Sequence, residues 1–357
     1  MIKKIVFSGS PSAVNNLCHF LRSLLMNLII VSALGKAGLS TFSIISTTFL
    51  LSVAISNGTS LSMASFTAVF SSERDNTSIR QVFTAAIISA IVLMAIFVGV
   101  VELFPAEVCG LFSVTDNAAT ENALRIFAIS LIFNGINTIF TTFYQSIKRA
   151  VCANVFTVLR SFAGVVTFAF AISRLGDPND LWYAFLCAEI VSLAATLIYA
   201  FIYSCRHKDV SRVLMIDTSA EKNGKYIAFS VGNNNAQVAE SAEKITEFCE
   251  QNDLNPKLTM AIGLAIEEIL VSFNDHALAG EKTNLRSNVR IFIYNDIIIL
   301  RFRTAGKAFD PLSYADNDTE FGSDSMGIKM IQKLSEVTLF NRVFGLNNLM
   351  IIFEGGR

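Results

Sequence analysis

Residues 39–72 read LSTFSIISTTFLLSVAISNGTSLSMASFTAVFSS, a stretch without a single Asp, Glu, Lys or Arg. A helix that crosses a bilayer needs about 20 mostly apolar residues, each contributing a rise of about 1.5 Å. A helix on the surface of a soluble core would instead show a polar stripe along one face. The stretch therefore predicts a membrane-spanning helix.

Working outward from this stretch, long apolar runs separated by short polar turns fill the first 204 residues. We predict six membrane spans, at residues 13–34, 40–69, 82–104, 126–147, 151–173 and 181–204. The expected fold of residues 1–204 is an all-α membrane bundle of six transmembrane helices.

The composition changes after this block. Hydrophobic residues make up 52% of the chain and charged residues 16%, whereas soluble proteins average about 25% charged residues. Charged residues are sparse within the spans and frequent after residue 205, which indicates two differently solvated parts. We therefore divide the chain into a membrane domain at 1–204, a polar linker at 205–224 and a second domain at 225–357. The formal net charge of −1 gives no indication of a nucleic-acid partner.

The cysteine and histidine content argues against a metal or disulfide framework. None of the six cysteines forms a C-x-x-C pair, and the chain has three histidines. Zinc sites and disulfide-stapled domains need denser clusters than this. We expect the cysteines inside the spans to be small buried hydrophobic residues.

Lysine and arginine are distributed unequally between the two sides of the predicted bundle. One set of alternate connections, together with both ends of the membrane block, carries nine basic residues; the opposite set carries three. The larger set is Lys3, Lys4, Arg74, Arg80, Lys148, Arg149, Arg206, Lys208 and Arg212; the smaller is Lys36, Arg125 and Arg174. Basic residues concentrate on the cytosolic side of membrane proteins. We expect a multi-pass protein of the plasma membrane with both termini in the cytosol.

Four ionisable residues lie well inside the spans: His19, Arg22, Arg160 and Glu189. Such residues are costly in contact with lipid and generally face a bundle interior or a cavity. One interpretation is a substrate or proton path. The other is structural pairing, or snorkelling of the long arginine side chains to the interface. Glu189 favours the first, because a short carboxylate does not reach the interface easily.

After residue 225 the pattern predicts an α+β domain. Strands are expected at 226–231, 289–294 and 297–303, with a tight turn at 295–296. Amphipathic helices are expected at 236–251, 256–277 and 326–335. A loop is expected from 304 to 325, followed by a closing hairpin around Gly345.

Several short motifs in the membrane block resemble the C-terminal half of a MATE-type multidrug exporter, in the multidrug and lipopolysaccharide flippase (MOP) superfamily. They are GSPSA at 9–13, Gly58, LFS at 111–113, YQSIK at 144–148, Leu159-Arg160, and WYA at 182–184 together with Glu189. The resemblance implies efflux or antiport of amphiphilic small molecules. Full transporters of this family have twelve spans in two halves, and six are predicted here. We therefore expect a homodimer, or pairing with a second six-span half.

The C-terminal domain resembles the histidine-kinase-like ATPase (Bergerat-type) fold, nearest to anti-sigma-factor serine kinases. The motifs are AIEEILVS at 265–272 followed by His276-Ala277, TAGKAFDPL at 304–312, SMGIKMI at 325–331 and GLNNL at 345–349. The fold that this implies has helices on one face of a mixed or antiparallel sheet.

This resemblance implies roles for five residues, with ATP and Mg²⁺ as ligands. Glu268 matches the catalytic base, and Ser272 stands where the family has an Asn that binds Mg²⁺. Thr304 stands where the family has an Asp that binds adenine, and Gly306 and Gly327 match glycines of the nucleotide site. A hydroxyl is a poorer Mg²⁺ ligand than an amide carbonyl, and an absent charged acceptor costs about 1.5–3 kcal/mol. We expect nucleotide binding to be weak or absent, and kinase or ATPase activity is disfavoured.

Two functional hypotheses remain open from the sequence. In the first, the chain is a transporter with a cytosolic domain that senses nucleotide or binds a protein partner. In the second, it is a signalling protein whose membrane domain is an anchor or sensor and whose tail holds a regulatory partner without transport.

Overall fold

A computed structural model describes the backbone of residues 2–112, 118–232, 234–278, 286–317, 326–343 and 345–354, with side chains from residue 13 onward except at 316, 317 and 343. The chain forms two units, Met1–Asp217 and Thr218–Arg357. The division falls inside the segment 205–224 that the sequence suggests as a linker. Part of the predicted loop 304–325, including Ser325, lies outside the described residues.

Helices make up nearly all of the first unit. Their bounds are α1 Ile2–Ser72, α2 Asn76–Leu103, α3 Pro105–Gly110, α4 Ala118–Ser146, α5 Ala150–Val158, α6 Val165–Leu175 and α7 Tyr183–Arg206. A π-helical turn, Leu159–Gly164, joins α5 to α6, and a 3₁₀ turn, Pro178–Trp182, leads into α7. Five helices among the described residues are long and apolar enough to cross a membrane.

The first of these helices is folded back on itself at Gly35. Gly35 has φ = 65°, a conformation that glycine adopts at no steric cost. The His19 and Phe49 rings are 5.5 Å apart, although a straight helix would separate two residues 30 positions apart by about 45 Å. The two arms of α1 are therefore antiparallel neighbours, and they correspond to the first two of the six predicted spans.

The connection between α2 and α4 is more helical than the sequence suggests. Pro105 begins the short helix α3, where its missing N–H leaves no donor unpaired. Helix α4 begins at Ala118 rather than near residue 126, because alanines and Glu121 in its first turn favour helix. Glu107 and Glu121 therefore lie in the first turns of α3 and α4.

Helix α4 is the most buried of the five long helices and packs against α1, α2 and α7. Small residues let its neighbours approach closely. A Cβ added at Gly135 would lie 3.0 Å from Cγ of Met94 on α2. A span buried on most sides is free to carry polar side chains that lipid would not tolerate.

The second unit combines helices with one sheet. The helices are α8 Ser219–Asn223, α9 Asn235–Glu250, α10 Pro256–Ser272, α11 Pro311–Asn317 and α12 Met326–Leu334; a π-helical turn, Phe273–Ala277, continues α10. The strands are β1 Lys225–Val231, β2 Ser287–Tyr294, β3 Ile297–Thr304, β4 Val337–Val343 and β5 Leu346–Glu354.

The five strands pair antiparallel throughout, in the order β1-β2-β3-β5-β4. Asn295, with φ = 53°, lies in the two-residue turn between β2 and β3. Alternate strand residues such as Ile291 and Leu300 pack with α9, α10 and α12 in one core. Helix α11 lies within the predicted loop, where Pro311 follows Asp310, whose carboxylate accepts a hydrogen bond from Leu312 N.

Candidate functional site

Glu189 lies buried on α7, with both carboxylate oxygens hydrogen-bonded to amides of α4. Asn134 Nδ2 donates to Oε1 at 2.7 Å, and Asn137 Nδ2 donates to Oε2 at 2.7 Å. Asn137 Nδ2 also donates to the main-chain oxygen of Glu189 at 3.0 Å. The carboxylate is therefore solvated by the protein in place of water.

Arg160 lies beside this pair, in the π-helical turn between α5 and α6. It is 7% exposed, and its Nη1 donates to the main-chain oxygen of Asn134 at 3.1 Å and to Oγ1 of Thr138 at 3.0 Å. Its buried Nε has no hydrogen-bond partner among the described residues. Gly164 lets the turn approach α7, since a Cβ there would lie 3.2 Å from Cβ of Ala188. π-helical turns frequently occur at functional sites.

The first arm of α1 brings His19 and Arg22 to the same place. The Arg22 guanidinium carbon lies 4.6 Å from the ring centroid of Phe49 and 6.0 Å from that of Phe185. Arg22 interacts electrostatically with Glu189 and Arg160, and His19 interacts with Arg22 and Arg160. The structure thus gathers His19, Arg22, Arg160 and Glu189 in one place, which we call the polar cluster.

Sequence reasoning missed the α4 side chains that hold the polar cluster together. Asn134, Asn137, Thr138 and Thr141 are spaced at three- and four-residue intervals and so share one face of the helix. This polar stripe inside a predicted span was the available signal. Ionisable residues alone do not reveal which uncharged partners will face them.

In the second unit, Glu268 binds the first turn of α12. Its Oε1 accepts from Gly327 N at 2.7 Å and its Oε2 accepts from Ile328 N at 2.9 Å. Unpaired N–H groups and the helix dipole make such an N-terminus a site for negative charge. Gly327 lets the two groups approach closely, because a Cβ would lie 3.0 Å from Cδ of Glu268 and from Ala265 N.

Thr304, expected near a nucleotide base, is fully buried at the end of β3. Its Oγ1 lies 2.7 Å from Oγ of Ser287, directly across the β2–β3 pair. Ser272 is buried at the end of α10, and its main-chain oxygen lies 3.1 Å from Nδ1 of His276. Glu268 and Gly327 therefore meet, whereas the Thr304 hydroxyl is paired within the sheet.

Gly306 occupies a position that only glycine fits. Its φ is 111°, and a Cβ there would lie 2.3 Å from the main-chain oxygen of Ala277. Lys307 N donates to this oxygen at 2.9 Å, and Asn347 Nδ2 donates to the main-chain oxygen of Lys307 at 2.7 Å. Gly306 thus joins the loop after β3 to the end of α10.

Helices α9 and α10 enclose a groove of about 700 Å³. Carboxylates on both helices line it: Glu243, Glu247, Glu250 and Glu267. Met260 and Leu264, also in the lining, are 64% and 37% exposed. The groove offers an apolar floor between negative charges.

In the part of the chain that the structure describes, the residues that could bind a metal or react as thiols are scattered or buried. It contains no group of three or more His, Cys, Asp or Glu residues that could hold a metal ion. In the second unit, burial raises the pKa of the Cys249 thiol to about 12, so this residue behaves as a small hydrophobic side chain.

Comparisons with known proteins agree on the membrane unit. The MatE family model matches residues 11–170. Three similar structures are an outward-facing multidrug resistance MATE family transporter, a MATE in complex with MaL6, and a MOP superfamily transporter from Pyrococcus furiosus. Each is 19% identical to this chain and covers 58% of it, with TM-scores of 0.53, 0.54 and 0.53.

The chain spans about half the length of these structures, 47%, 48% and 47% respectively. No curated protein shows significant sequence similarity to the chain. Apolar helices of spanning length and the match over residues 11–170 together indicate a multi-pass membrane protein, whose N-terminal unit has a MATE-like fold.

Proposed function

We propose that this chain is a MATE-like membrane transporter that exports amphiphilic small molecules, by antiport against an ion. The observation that carries the proposal is the polar cluster, held inside a bundle of MATE-like fold. Burying charges among apolar helices is costly, and such residues generally mark substrate or ion pathways. The Pyrococcus furiosus transporter is described as having a binding pocket of reverse polarity that suggests a different function. Pocket polarity is therefore a property to determine for each chain of this fold.

A second half is part of the proposal, either another copy of this chain or a separate six-span protein. Asn16, Ser23 and Asn27 follow one another at seven- and four-residue spacing and are exposed on the first arm of α1. Polar side chains facing lipid are unfavourable, whereas they stabilise contacts between helices. We also propose that both termini lie in the cytosol, from the nine-to-three imbalance of basic residues.

For the second unit we propose a regulatory role as a degenerate histidine-kinase-like domain that senses nucleotide or binds a protein partner. Glu268 already fills the N-terminus of α12, where the resemblance expects a nucleotide phosphate, so ATP would have to displace it. We therefore propose only weak binding of ATP and Mg²⁺, at Glu268, Ser272, Thr304, Gly306 and Gly327. The acidic groove between α9 and α10 favours a basic, partly apolar protein partner.

Transport measurements separate the two functional hypotheses. The full chain, reconstituted in proteoliposomes with an imposed Na⁺ or proton gradient, is expected to move fluorescent amphiphiles. Glu189→Gln should reduce the transport rate at least tenfold. Glu107 is an exposed carboxylate on α3, and Glu107→Gln should leave the transport rate unchanged. No gradient-dependent movement, together with a protein partner recovered on the C-terminal unit, would favour the signalling hypothesis instead.

A further inference from the structure

We propose that Arg22, Arg160 and His19 form a binding site for the anionic headgroup of an amphiphile, a phosphate or carboxylate carried on a hydrocarbon chain. This rests on the proposed function, since it names the substrate class of the polar cluster.

The charge of the polar cluster is the first argument. Its two arginines and one carboxylate give it a formal charge of +1. Glu189 attracts Arg22 but forms an ion pair with neither arginine: its oxygens accept from Asn134 and Asn137, and neither arginine forms an ion pair with a described residue. Among the described residues of this unit, the other acidic side chains lie at helix ends or in turns. An anion would supply the missing negative charge.

Polar atoms without a hydrogen-bond partner are the second argument. Arg22 carries five N–H donors, and its guanidinium carbon lies 4.6 Å from the ring centroid of Phe49 in a cation–π contact. Arg22 forms no hydrogen bond with a described residue, and the buried Nε of Arg160 and Nδ1 of His19 have no partner among them. Buried polar atoms are generally paired, so these two buried unpaired atoms, next to a guanidinium without a hydrogen bond, indicate a ligand. Guanidinium groups match phosphate and carboxylate in geometry as well as in charge.

The surroundings suit a hydrocarbon chain. Phe49, Phe127 and Phe185 form a row of ring contacts at 6.5 and 5.2 Å next to Arg22. A cationic amphiphile would find the same apolar surface but would meet two arginines of like charge.

Equilibrium binding tests the proposal directly. The full chain in nanodiscs of zwitterionic lipid is titrated with dodecyl phosphate, with dodecyltrimethylammonium of equal chain length, and with inorganic phosphate. We expect dodecyl phosphate to bind at least tenfold more tightly than either of the others. Equal binding of the cation, or no binding of dodecyl phosphate, would overturn the proposal.

Substitutions locate the site. Arg22→Gln should weaken dodecyl phosphate binding about tenfold or more, and Arg22→Lys should restore part of the loss. Arg174→Gln is the matched control, because Arg174 also lies over a phenylalanine, 5.5 Å from the ring of Phe170, but outside the polar cluster. Arg160→Lys keeps the positive charge at the buried position, and it therefore avoids the misfolding expected of a neutral substitution there. Equal losses in Arg22→Gln and Arg174→Gln would refute the assignment.

Competition distinguishes the two sources of such a headgroup. Displacement of dodecyl phosphate by phosphatidylglycerol would identify a lipid headgroup as the ligand, and retention would identify a free amphiphile; either result supports an anionic site. Binding is measured without a gradient, so failure of the proposed function is separate. If the chain binds dodecyl phosphate but transports nothing, the anionic site stands and the proposed transport fails. If it exports cations without binding dodecyl phosphate, the proposed transport stands and the anionic site fails.

Discussion

Asn137 on α4 and Glu189 on α7 are joined twice, because one amide nitrogen donates both to Oε2 at 2.7 Å and to the main-chain oxygen at 3.0 Å. This contact fixes the carboxylate and the helix that carries it at once. Polar contacts of this kind set the spacing of helices where apolar packing alone is not selective.

Asn137→Ala is expected to destabilise the membrane unit by about 1–3 kcal/mol, since a buried carboxylate oxygen and a carbonyl lose their donor. The readout is the apparent unfolding temperature of the purified full chain in a neutral detergent. Asn122→Ala is the control, as Asn122 lies exposed on the same helix. Equal unfolding temperatures for the two variants would contradict a structural role for the contact.

Glu268→Ala should loosen α12 by about 1–2 kcal/mol, because two N-terminal amides lose a charged acceptor. Hydrogen exchange of the amides of 326–334 in the full chain should then be roughly 5- to 30-fold faster. Glu267→Ala changes the neighbouring, exposed carboxylate and should leave this exchange unaltered. Unchanged exchange in Glu268→Ala would show that the carboxylate is dispensable for α12.

Mg-ATP is expected to bind the full chain no more tightly than the micromolar range. Thr304 is buried against Ser287 and lacks the charged acceptor that the resemblance expects, a loss worth roughly 10- to 150-fold in affinity. Calorimetry on the chain in nanodiscs provides the measurement, with Mg-ADP and metal-free ATP as comparisons. Mg²⁺-dependent binding tighter than the micromolar range would count against this expectation.

Glu336 and Glu354 should make the second unit more stable in mild acid than at neutral pH, because the two carboxylates repel each other when both are charged. The charge of Glu354 raises the pKa of Glu336 above its usual 4.5, and a hydrogen bond between the two carboxyls acts in the same direction. A raised folded-state pKa means that this stabilisation is complete below the unfolded pKa and is lost as pH rises through the folded pKa. Glu336→Gln should therefore raise the unfolding temperature at pH 7 and have no effect below pH about 4.

The reciprocal variant Glu354→Gln removes the same repulsion and is expected to behave alike. Combining the two substitutions should add nothing beyond either alone, because only one pair is involved. A gain in Glu336→Gln that is equal at pH 4 and pH 7 would show that the effect is not titration.

In native nanodiscs, the full chain should occur as a dimer or as a complex with another six-span protein. The reason is the exposed polar line of Asn16, Ser23 and Asn27, which a second half would cover. Mass photometry distinguishes these states, since one chain has a mass of 39.0 kDa. A stable monomer whose Asn16→Leu and Asn27→Leu variants gain stability would indicate that this face is exposed to lipid.

The sequence by itself determined the membrane character and most elements of both units. Charge-free runs such as residues 39–72 identify spans because their length and apolarity are local properties. Alternating strands around Asn295 and the amphipathic pattern of residues 236–251 identify the second unit for the same reason. The ionisable residues of the polar cluster were also visible one by one, because a charge inside a span is conspicuous.

Tertiary structure decided how these residues are used. That Glu189 is held by Asn134 and Asn137 rather than by an arginine depends on how α4 and α7 pack, which no local pattern encodes. The π-helical turn at Arg160 was likewise not predicted, because it depends on packing between helices. The reversal of α1 at Gly35, in contrast, was expected, since the predicted spans 13–34 and 40–69 require a turn between them. Glu268 was expected to act on nucleotide, yet it binds the N-terminus of α12 some 60 residues later in the chain. Which of several possible partners a charged side chain takes is settled by distance in space, and the fold alone sets that distance.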